Sequence, residues 1–473
     1  MMFQNTAPVA QLDRASDFES EGRGFEPLPA YQSRMDPGRT KEIESDPAVS
    51  ALKTSLELRQ EVVPMTVLRS FRALRPHPQR APAVASVPYD VVDTSEARAL
   101  AAGNPDSFLH VIRPEIDLPE GTDIHDDAVY AQAPVSLARL IQAGSLIHDP
   151  QKALYLYRQV MDDHVQIGVV GCASVDEYDQ GLIKKHEKTR PDKEDDRTRH
   201  MLTLSAHAGP VFLTYRGTAR IDTAVEAVTS TRKPLYDFVA PDGVAHTVWK
   251  IQDSTDLQEA FGEIPALYVA DGHHRAASAS RARAARRREA TKFSATEEVN
   301  FFLTVLFPAG QLKILPYNRV VHDLGASTPA EFLGQLRQVM TVTAGAPPSP
   351  ERKGVFSMFL EGEWFTLQAP QDALTNDHPV DSLDAAILQN RVLMPILGIE
   401  DPRTSTRMDC VGGIRGTDEL ERRVRKAGTG VAFSLFPVSV DELMAVADAG
   451  LFLPPKCTWF EPKLRSGLLT HEF

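Results

Sequence analysis

The stretch LYVADGHHRAASASRARAARRREA (Leu267–Ala290) is the most informative part of the chain about its fold. A short apolar run, Leu267–Ala270, ends in Asp-Gly-His-His-Arg, and an alanine- and arginine-rich segment follows at once. The apolar run predicts a buried strand and the glycine a tight turn. The segment from Ala276 predicts a helix, because alanine and arginine are strong helix formers. The order strand, turn, helix therefore places two histidines and an arginine at a helix N-terminus.

A helix N-terminus is a favourable place for an anion. Its first amide groups lack partners within the helix, and the helix dipole is positive there. Arg275 adds a forked donor suited to phosphate, and a histidine adds a donor or a proton shuttle. Asp271 could hold a metal ion or orient a histidine. We therefore predict that Asp271, Gly272, His273, His274 and Arg275 bind the phosphates of a nucleotide.

A simpler interpretation of the same motif is structural. In that interpretation Asp271 caps the helix and the two histidines are half-exposed turn residues. For Arg275 we expect a position outside the core, so that its replacement by alanine leaves the fold intact and weakens nucleotide binding.

Composition narrows the class of protein. The chain has 473 residues, of which 42% are hydrophobic and 24% charged, as in globular proteins. Its net charge of −13 disfavours nucleic acid and anionic membranes as partners. The three cysteines (Cys172, Cys410 and Cys457) are far apart, which predicts free thiols in a reducing compartment. No apolar run reaches membrane-spanning length. We expect a cytoplasmic protein.

The chain divides into three parts by pattern. Residues 1–64 are polar and aperiodic, and Val9–Ala30 resembles the translation of a tRNA gene, so we predict a disordered or wrongly included extension. From Met65 strands and helices alternate, which predicts an α/β (α+β) protein with mixed sheets and flanking helices. We predict a main α/β domain over residues 65–344 and a second α/β lobe over 345–473 packing on it. The segment GAPPSPERKG opens that lobe.

Several segments predict particular elements. FLHVIRPE (108–115) reads as a strand and DDAVYAQAPVSLARLIQAG (126–144) as an amphipathic helix. ALYLYRQVM and VQIGVVGCASV (153–175) read as an antiparallel pair of strands, and VFSMFLEGEWFTLQ (355–368) as a hairpin.

The run IKKHEKTRPDKEDDRTRH (Ile183–His200) has the densest charge in the chain. A structural interpretation is a solvated loop and helix with ion pairs four residues apart, such as Asp195 with Arg199. A functional interpretation is a segment, residues 185–197, that is mobile when empty and closes over a bound nucleotide.

Five residues outside the Asp-Gly-His-His-Arg motif have side chains suited to phosphoryl transfer. Lys185 and Arg190 could bind phosphates, and Glu187 could bind Mg²⁺ or accept a proton. Asp90 follows Pro-Tyr in a loop, where it is either a general base or a turn residue. Lys456 follows two prolines in a loop and could reach a phosphate, although a surface lysine is the default.

Most of the chain resembles a widespread bacterial and archaeal family of proteins of unknown function. The matching pieces run from about Phe71 to Gly467 and are VPYDVV, GNPDSFLHVIRPE, IKKHEKTRPDKEDDR, GPVFLTY, YVADGHHR and LPPKCTWFEPKLRSG. In the last piece we expect serine where this chain has Cys457. Cysteine is a poor hydrogen-bond donor, which puts a hydroxyl role at that position in doubt.

The piece YVADGHHR is also similar to the phosphate-binding motif of the ParB/sulfiredoxin fold, which occurs in free serine kinases. The resemblance implies a ParB/sulfiredoxin-like element around Asp271–Arg275, a nucleotide (ATP or ADP) with Mg²⁺, and serine or phosphoserine as the small-molecule partner. It does not place the catalytic carboxylate, for which Asp90 and Glu187 are candidates on chemical grounds.

Together these inferences predict a nucleotide-dependent small-molecule phosphotransferase. Glu187, Asp90 and His273 are its predicted catalytic residues, and Asp271 with Glu187 its predicted Mg²⁺ ligands.

Two alternatives remain open at this point. One is a ParB-like nucleotide-binding switch without catalysis. The other is a metal-dependent hydrolase built on His186, Glu187, His273 and His274. Whether the chain forms a homodimer is also open.

Overall fold

The computed structural model describes residues 66–375, 378–402 and 404–473. The predicted extension, residues 1–64, lies outside these ranges. The described chain is a mixed α/β structure with four sheets and flanking helices, which confirms the predicted fold class. Within the described residues, no helix combines the length and the apolar character needed to cross a bilayer.

The strands, in chain order, are β1 (Leu68–Arg69), β2 (Ala73–Pro76), β3 (Leu146–His148), β4 (Leu154–Met161), β5 (His164–Ser174), β6 (Ile183–Lys184), β7 (Ala206–His207), β8 (Val211–Tyr215), β9 (Tyr236–Val239), β10 (Ala245–Ile251), β11 (Leu267–Asp271), β12 (Phe301–Pro308), β13 (Lys313–Leu315), β14 (Tyr317–Val321), β15 (Thr341–Ala344), β16 (Val355–Leu360), β17 (Glu363–Gln368), β18 (Met408–Gly412), β19 (Val431–Ser434), β20 (Trp459–Glu461) and β21 (Thr470–Glu472). The α-helices are α1 (Ala81–Val84), α2 (Thr94–Ala101), α3 (Leu109–Ile112), α4 (Asp127–Gln142), α5 (Val175–Asp179), α6 (Pro191–Leu204), α7 (Ala219–Thr231), α8 (Thr255–Gly262), α9 (His273–Glu289), α10 (Pro329–Val339), α11 (Gln371–Leu374), α12 (Asp384–Leu388), α13 (Asp418–Ala427) and α14 (Val440–Asp448).

The largest sheet has nine strands in the order β6-β11-β8-β12-β5-β4-β10-β9, with β1 beside β5. The pairs β11 with β6 and β12 with β8 are parallel, and the others are antiparallel. The antiparallel pair predicted over residues 153–175 is confirmed as β4 and β5.

Strand β11 shows why the run before Asp271 is apolar throughout. Leu267 and Val269 belong to one hydrophobic core, and Tyr268 and Ala270 to another. Side chains alternate between the two faces of a strand, so a strand buried on both faces needs apolar residues at every position. The burial of β11 fixes the point at which the chain emerges at Asp271.

The second sheet is antiparallel, with six strands in the order β15-β17-β16-β19-β14-β18. The hairpin predicted over residues 355–368 is confirmed as β16 and β17. The segment GAPPSPERKG joins β15 to β16 inside this sheet, whose first strand begins at Tyr317, upstream of the predicted lobe boundary at residue 345. The division into two lobes stays a prediction.

Two small sheets, β3-β2-β21-β7 and β13-β20, pair the last strands of the chain with earlier segments. This pairing brings the LPPKCTWFEPKLRSG segment back to the main sheet.

The strand predicted over residues 108–115 is wrong. The segment forms α3 (Leu109–Ile112) and a 3₁₀ turn over Pro114–Asp117. Phe108, Leu109, Val111 and Ile112 are all buried in one hydrophobic cluster. A short apolar run does not distinguish strand from helix by itself. The helix predicted over residues 126–144 is confirmed as α4.

Candidate functional site

The strand, turn and helix predicted from the Asp-Gly-His-His-Arg motif are present. Strand β11 ends at Asp271, Gly272 has a φ of 91°, and the 17-residue helix α9 begins at His273. No side chain caps this helix, so Asp271 does not have the capping role of the structural interpretation. No hydrogen bond from the amides of His273, His274 or Arg275 is found among the described residues, so these groups could bind an anion.

Gly272 satisfies two requirements at once. Its positive φ lies in the region that glycine adopts without strain. A Cβ at this position would also lie 2.8 Å from Nε and 2.9 Å from Cζ of Arg275. The close packing of the Arg275 guanidinium on the turn therefore depends on glycine.

Asp271 is held by several donors. Its Oδ1 accepts a hydrogen bond from the Gly272 amide at 2.9 Å, and its Oδ2 lies 3.4 Å from Nζ of Lys463 and 3.6 Å from Nη2 of Arg275. Burial alone would raise the pKa of Asp271, but the charges of Lys463 and Arg275 hold it well below its usual range. The carboxylate is therefore ionised, with both oxygens engaged by protein donors.

Arg275 is a core residue, contrary to our expectation. It is 7% exposed, and its Nη1 donates to the carbonyl oxygen of Pro210. Arg275 is also absent from the lining of the cleft described below. The prediction of a position outside the core was wrong, because a guanidinium at the third position of a helix can fold back under the turn when the turn residue has no side chain. The structure gives no support to the expectation that Arg275→Ala would leave the fold intact.

The two histidines of the motif fasten the preceding charged segment to the helix. The amide of His186 donates to Nε2 of His273 at 3.5 Å, and the amide of Arg190 donates to Nε2 of His274 at 3.1 Å. The rings of His186 and His273 meet edge to face, with centroids 4.3 Å apart. Burial lowers the pKa of His186 to about 4, against the opposing influence of Asp271 and the Val269 carbonyl, so its ring is neutral at pH 7.

The charged run is largely helical. It enters α6 at Pro191, and α6 packs on α9. The predicted pair of Asp195 with Arg199 is absent, because both residues have partners on other helices. Asp195 forms an ion pair with Arg281 of α9. Nη2 of Arg199 lies 2.5 Å from Oδ1 of Asp127 of α4. Only residues 185–190 remain as a connecting segment.

A cleft of about 1120 Å³ opens at the turn between β11 and α9. Clefts of this size accommodate small molecules and cofactors. The predicted site residues that line it are Asp90, Glu187, Arg190, Asp271, Gly272, His273, His274 and Lys456. Lys185 does not line the cleft, since its Nζ lies 3.7 Å from the centroid of the Tyr178 ring.

The cleft lining also includes residues that were not among the predicted site residues, and Lys463, Trp459 and Tyr317 are three of them. Nζ of Lys463 lies 4.8 Å from the centroid of the Trp459 ring, and the rings of Trp459 and Tyr317 meet edge to face at 5.3 Å. The available signal was the LPPKCTWFEPKLRSG motif. Its proximity to Asp271 is not visible in the sequence, because 192 residues separate Lys463 from Asp271.

Lys456 and Glu187 both line the cleft, and the charge of each shifts the pKa of the other. Lys456 has a φ of 55°, which is uncommon for a residue other than glycine and typical of residues held in place by their surroundings. Burial would lower its pKa, but Tyr317 and Glu187 raise it above the usual value. Burial raises the pKa of Glu187, with Lys456 opposing and Asp271 reinforcing the shift.

Comparison with known proteins gives distant structural similarities. No curated protein sequence is significantly similar to this chain. A truncated SbnI from Staphylococcus aureus has 13% identity and a TM-score of 0.35, covering 63% of this chain and 86% of that one. A free serine kinase in complex with AMP has 12% identity and a TM-score of 0.32, covering 64% and 91%. A conserved hypothetical protein from Pyrococcus furiosus has 12% identity and a TM-score of 0.32, covering 64% of this chain and 94% of that one. Similarities at this level establish no function for this chain.

The sequence itself matches one family over most of its length. Residues 68–386 match the description "Protein of unknown function (DUF1015)". This range contains the Asp-Gly-His-His-Arg motif, the charged run and Asp90. The chain therefore belongs to the DUF1015 family of proteins of unknown function.

Proposed function

We propose that this protein is a nucleotide-dependent phosphotransferase that acts on the hydroxyl group of a small molecule, with serine or phosphoserine as the partner to test first. The observation that carries the proposal is the N-terminus of α9, which opens into a cleft lined by both basic and acidic side chains. Unpaired amides at a helix N-terminus bind phosphate groups without further charged residues.

Two lysines are placed to support phosphate binding. Lys463 lies beside Asp271 at the start of the helix, and Lys456 lines the cleft, where the charge of Glu187 helps to raise its pKa. Phosphoryl transfer depends mainly on positioning the phosphates and neutralising their charge. We propose that these lysines and the amides of α9 position the phosphates and neutralise their charge. Arg190 lines the same cleft and adds a further cation.

The cleft also provides a carboxylate for proton transfer. In the proposed forward reaction the substrate oxygen forms a bond to the terminal phosphorus, the bridging P–O bond of the nucleotide breaks, and the hydroxyl proton passes to a carboxylate. Asp90 and Glu187 both line the cleft and are the two candidates. His273 is buried and bonded to the amide of His186, so we propose a positioning role for it.

The predicted Mg²⁺ ligands differ in how well they fit such an ion. Asp271 fits poorly, because protein donors already engage both of its oxygens. Glu187 fits better, because its side chain is 41% exposed and its Oε2 lies 3.9 Å from Nδ1 of His273. Burial lowers the pKa of His273 well below its usual value, so this ring is neutral and leaves the carboxylate without an ion pair there. Mg²⁺ bound with the nucleotide would neutralise phosphate charge, with oxygen ligands as it prefers.

The nucleotide part of the proposal is tested by calorimetry of the full chain with AMP, ADP and ATP in the presence of Mg²⁺. We expect one nucleotide per chain, and a further thermal shift when serine or phosphoserine is added with it. Absence of binding to all three nucleotides would refute the proposal. Binding without turnover of either amino acid would instead indicate a nucleotide-binding switch.

The catalytic part is tested with Asp90→Asn and Glu187→Gln. Loss of a general base should reduce phosphoryl transfer by about 10²–10⁴-fold while nucleotide affinity changes little. Asp195→Asn is a matched control, because this exposed carboxylate on α6 pairs with Arg281 and does not line the cleft. If both Asp90→Asn and Glu187→Gln turn over as fast as Asp195→Asn, neither carboxylate is the base.

A further inference from the structure

His186, Glu187 and His273 form a side-chain cluster. The proposed phosphotransferase gives roles to Glu187 and His273 but none to His186. One nitrogen or oxygen from each residue lies within 4.8 Å of the corresponding atom of the other two. Within the cluster, Oε2 of Glu187 is 3.9 Å from Nδ1 of His273. The three residues come from two segments, the end of β6 and the start of α9, which the main sheet brings together.

His186 is the unusual member of the cluster. It is 1% exposed, yet neither of its ring nitrogens has a hydrogen-bond partner of normal geometry among the described residues. Buried polar groups are almost always well paired, whereas the His186 ring has only a weak contact with the Val269 carbonyl and meets another imidazole edge to face, so it is a candidate to bind a ligand.

We propose that His186, Glu187 and His273 bind a divalent transition-metal ion of the zinc type. Two imidazoles and one carboxylate are ligands that zinc uses, whereas Mg²⁺ prefers oxygen ligands alone. A tetrahedral ion with bonds of about 2.1 Å needs ligand atoms about 3.4 Å apart, so the cluster must contract moderately around it. Glu187 and His273 line the cleft, so the fourth coordination position faces the cleft and is open to a small molecule.

Coordination through Nδ1 of His273 has a consequence for its other ring nitrogen. The remaining ring proton would then reside on Nε2, which now accepts from the His186 amide at 3.5 Å. This contact is long for a hydrogen bond and would open when the ion binds. We therefore expect hydrogen exchange at the His186 amide to become faster with metal.

The proposed ion shares Glu187 with the proposed phosphotransferase site, but the two proposals are tested separately. The affinity of the ion is measurable without nucleotide, so either proposal can fail while the other stands. If Glu187 is a metal ligand it is not free to accept a proton, and Asp90 becomes the general base of the proposed phosphotransferase.

The test uses the full chain without a histidine tag, freed of metal by dialysis against chelator and then titrated with Zn²⁺ alone and with Co²⁺ alone. We expect one ion per chain, and for Co²⁺ the visible absorption of a low-coordinate site with nitrogen ligands. Loss of one of three protein ligands, in His186→Ala or His273→Ala, should weaken binding by about 100-fold. Circular dichroism establishes that each variant is folded.

Two further variants keep the test decisive. His274→Ala removes the neighbouring histidine, whose Nε2 is occupied by the Arg190 amide, and should retain the ion. Glu187→Gln alters a half-exposed ligand, so it should weaken binding even if the histidine variants do not fold. The proposal is overturned if the wild type and Glu187→Gln bind Zn²⁺ and Co²⁺ with the same affinity, or if the wild type binds neither ion. It is also overturned if His274→Ala loses the ion to the same degree as His186→Ala.

Discussion

Replacing Gly272 by alanine tests the structural basis of the proposed phosphate site. Gly272 has a φ of 91°, and an added Cβ would lie 2.8 Å, 2.9 Å and 3.0 Å from Nε, Cζ and Nη2 of Arg275. Contacts this short require the guanidinium to move. Its movement would strain or break the hydrogen bond from Arg275 to the Pro210 carbonyl and shift the start of α9.

The expected loss of stability has two parts. A non-glycine residue in the left-handed region costs roughly 1–2 kcal/mol. Loss of a hydrogen bond from a charged donor costs about 1.5–3 kcal/mol. Gly272→Ala should therefore lower the free energy of unfolding by about 2.5–5 kcal/mol, a large fraction of the roughly 5–15 kcal/mol typical of folded proteins.

Gly209→Ala is the matched control for this substitution. Gly209 lies against the same arginine, but a Cβ there would meet Ser466 Oγ at 3.5 Å and Arg275 Cδ at 3.7 Å, which are ordinary contacts. Urea denaturation of both variants, followed by circular dichroism, gives the two free energies. Nucleotide calorimetry on the folded protein then reports the effect on the phosphate site. If the two variants differ by less than about 0.5 kcal/mol, our account of the turn is wrong.

Three other predictions follow from the same structure. Arg275→Ala should lower the free energy of unfolding by about 3 kcal/mol, because Asp271 loses a buried partner. A loss below about 1 kcal/mol, measured by urea denaturation, would contradict the core position of Arg275. Lys463→Ala should weaken nucleotide binding by about 10- to 150-fold in calorimetry, since it removes a cation at the start of α9, and an unchanged affinity would exclude a phosphate role. Burial raises the pKa of Glu177 from 4.5 to about 7. The folded state therefore keeps a proton that the unfolded state loses, and this group costs stability as pH rises between these two values, by about 3 kcal/mol once both states are ionised. Glu177→Gln preserves the acceptor for the Val67 amide and should remove this loss of stability. The melting temperature of the variant should therefore fall less than that of the wild type between about pH 5 and about pH 8. If the two melting temperatures change with pH in parallel, the raised pKa of Glu177 is refuted.

Local features of the motif were predictable because their causes are local. The apolar run Leu267–Ala270, the glycine and the alanine-rich segment each have strong conformational preferences, and together they fix strand, turn and helix. The same reasoning failed for FLHVIRPE (108–115). A short apolar run is compatible with either a strand or a helix. The helix forms here because it packs Phe108 and Leu109 into a buried cluster.

The side-chain partners of the site were not predictable, because they depend on segments far apart in the chain. Sequence placed Arg275 at a helix start, but only the fold shows that it turns back to the Pro210 carbonyl. The pair of Asp195 with Arg199 was plausible from helix spacing, yet partners on neighbouring helices compete successfully for both charges.

The sequence by itself determined that the motif begins a helix, that the chain is a mixed α/β protein, and which residue types are available for chemistry. These follow from propensity, periodicity and composition, which act over a few residues. Only the tertiary structure decided that Lys463 and Trp459 join the cleft, that Arg275 leaves it, and that His186 is buried beside His273. Such proximities come from sheet order and from the pairing of the last strands with earlier ones. They are long-range consequences of burying the two faces of one sheet, which no local pattern encodes.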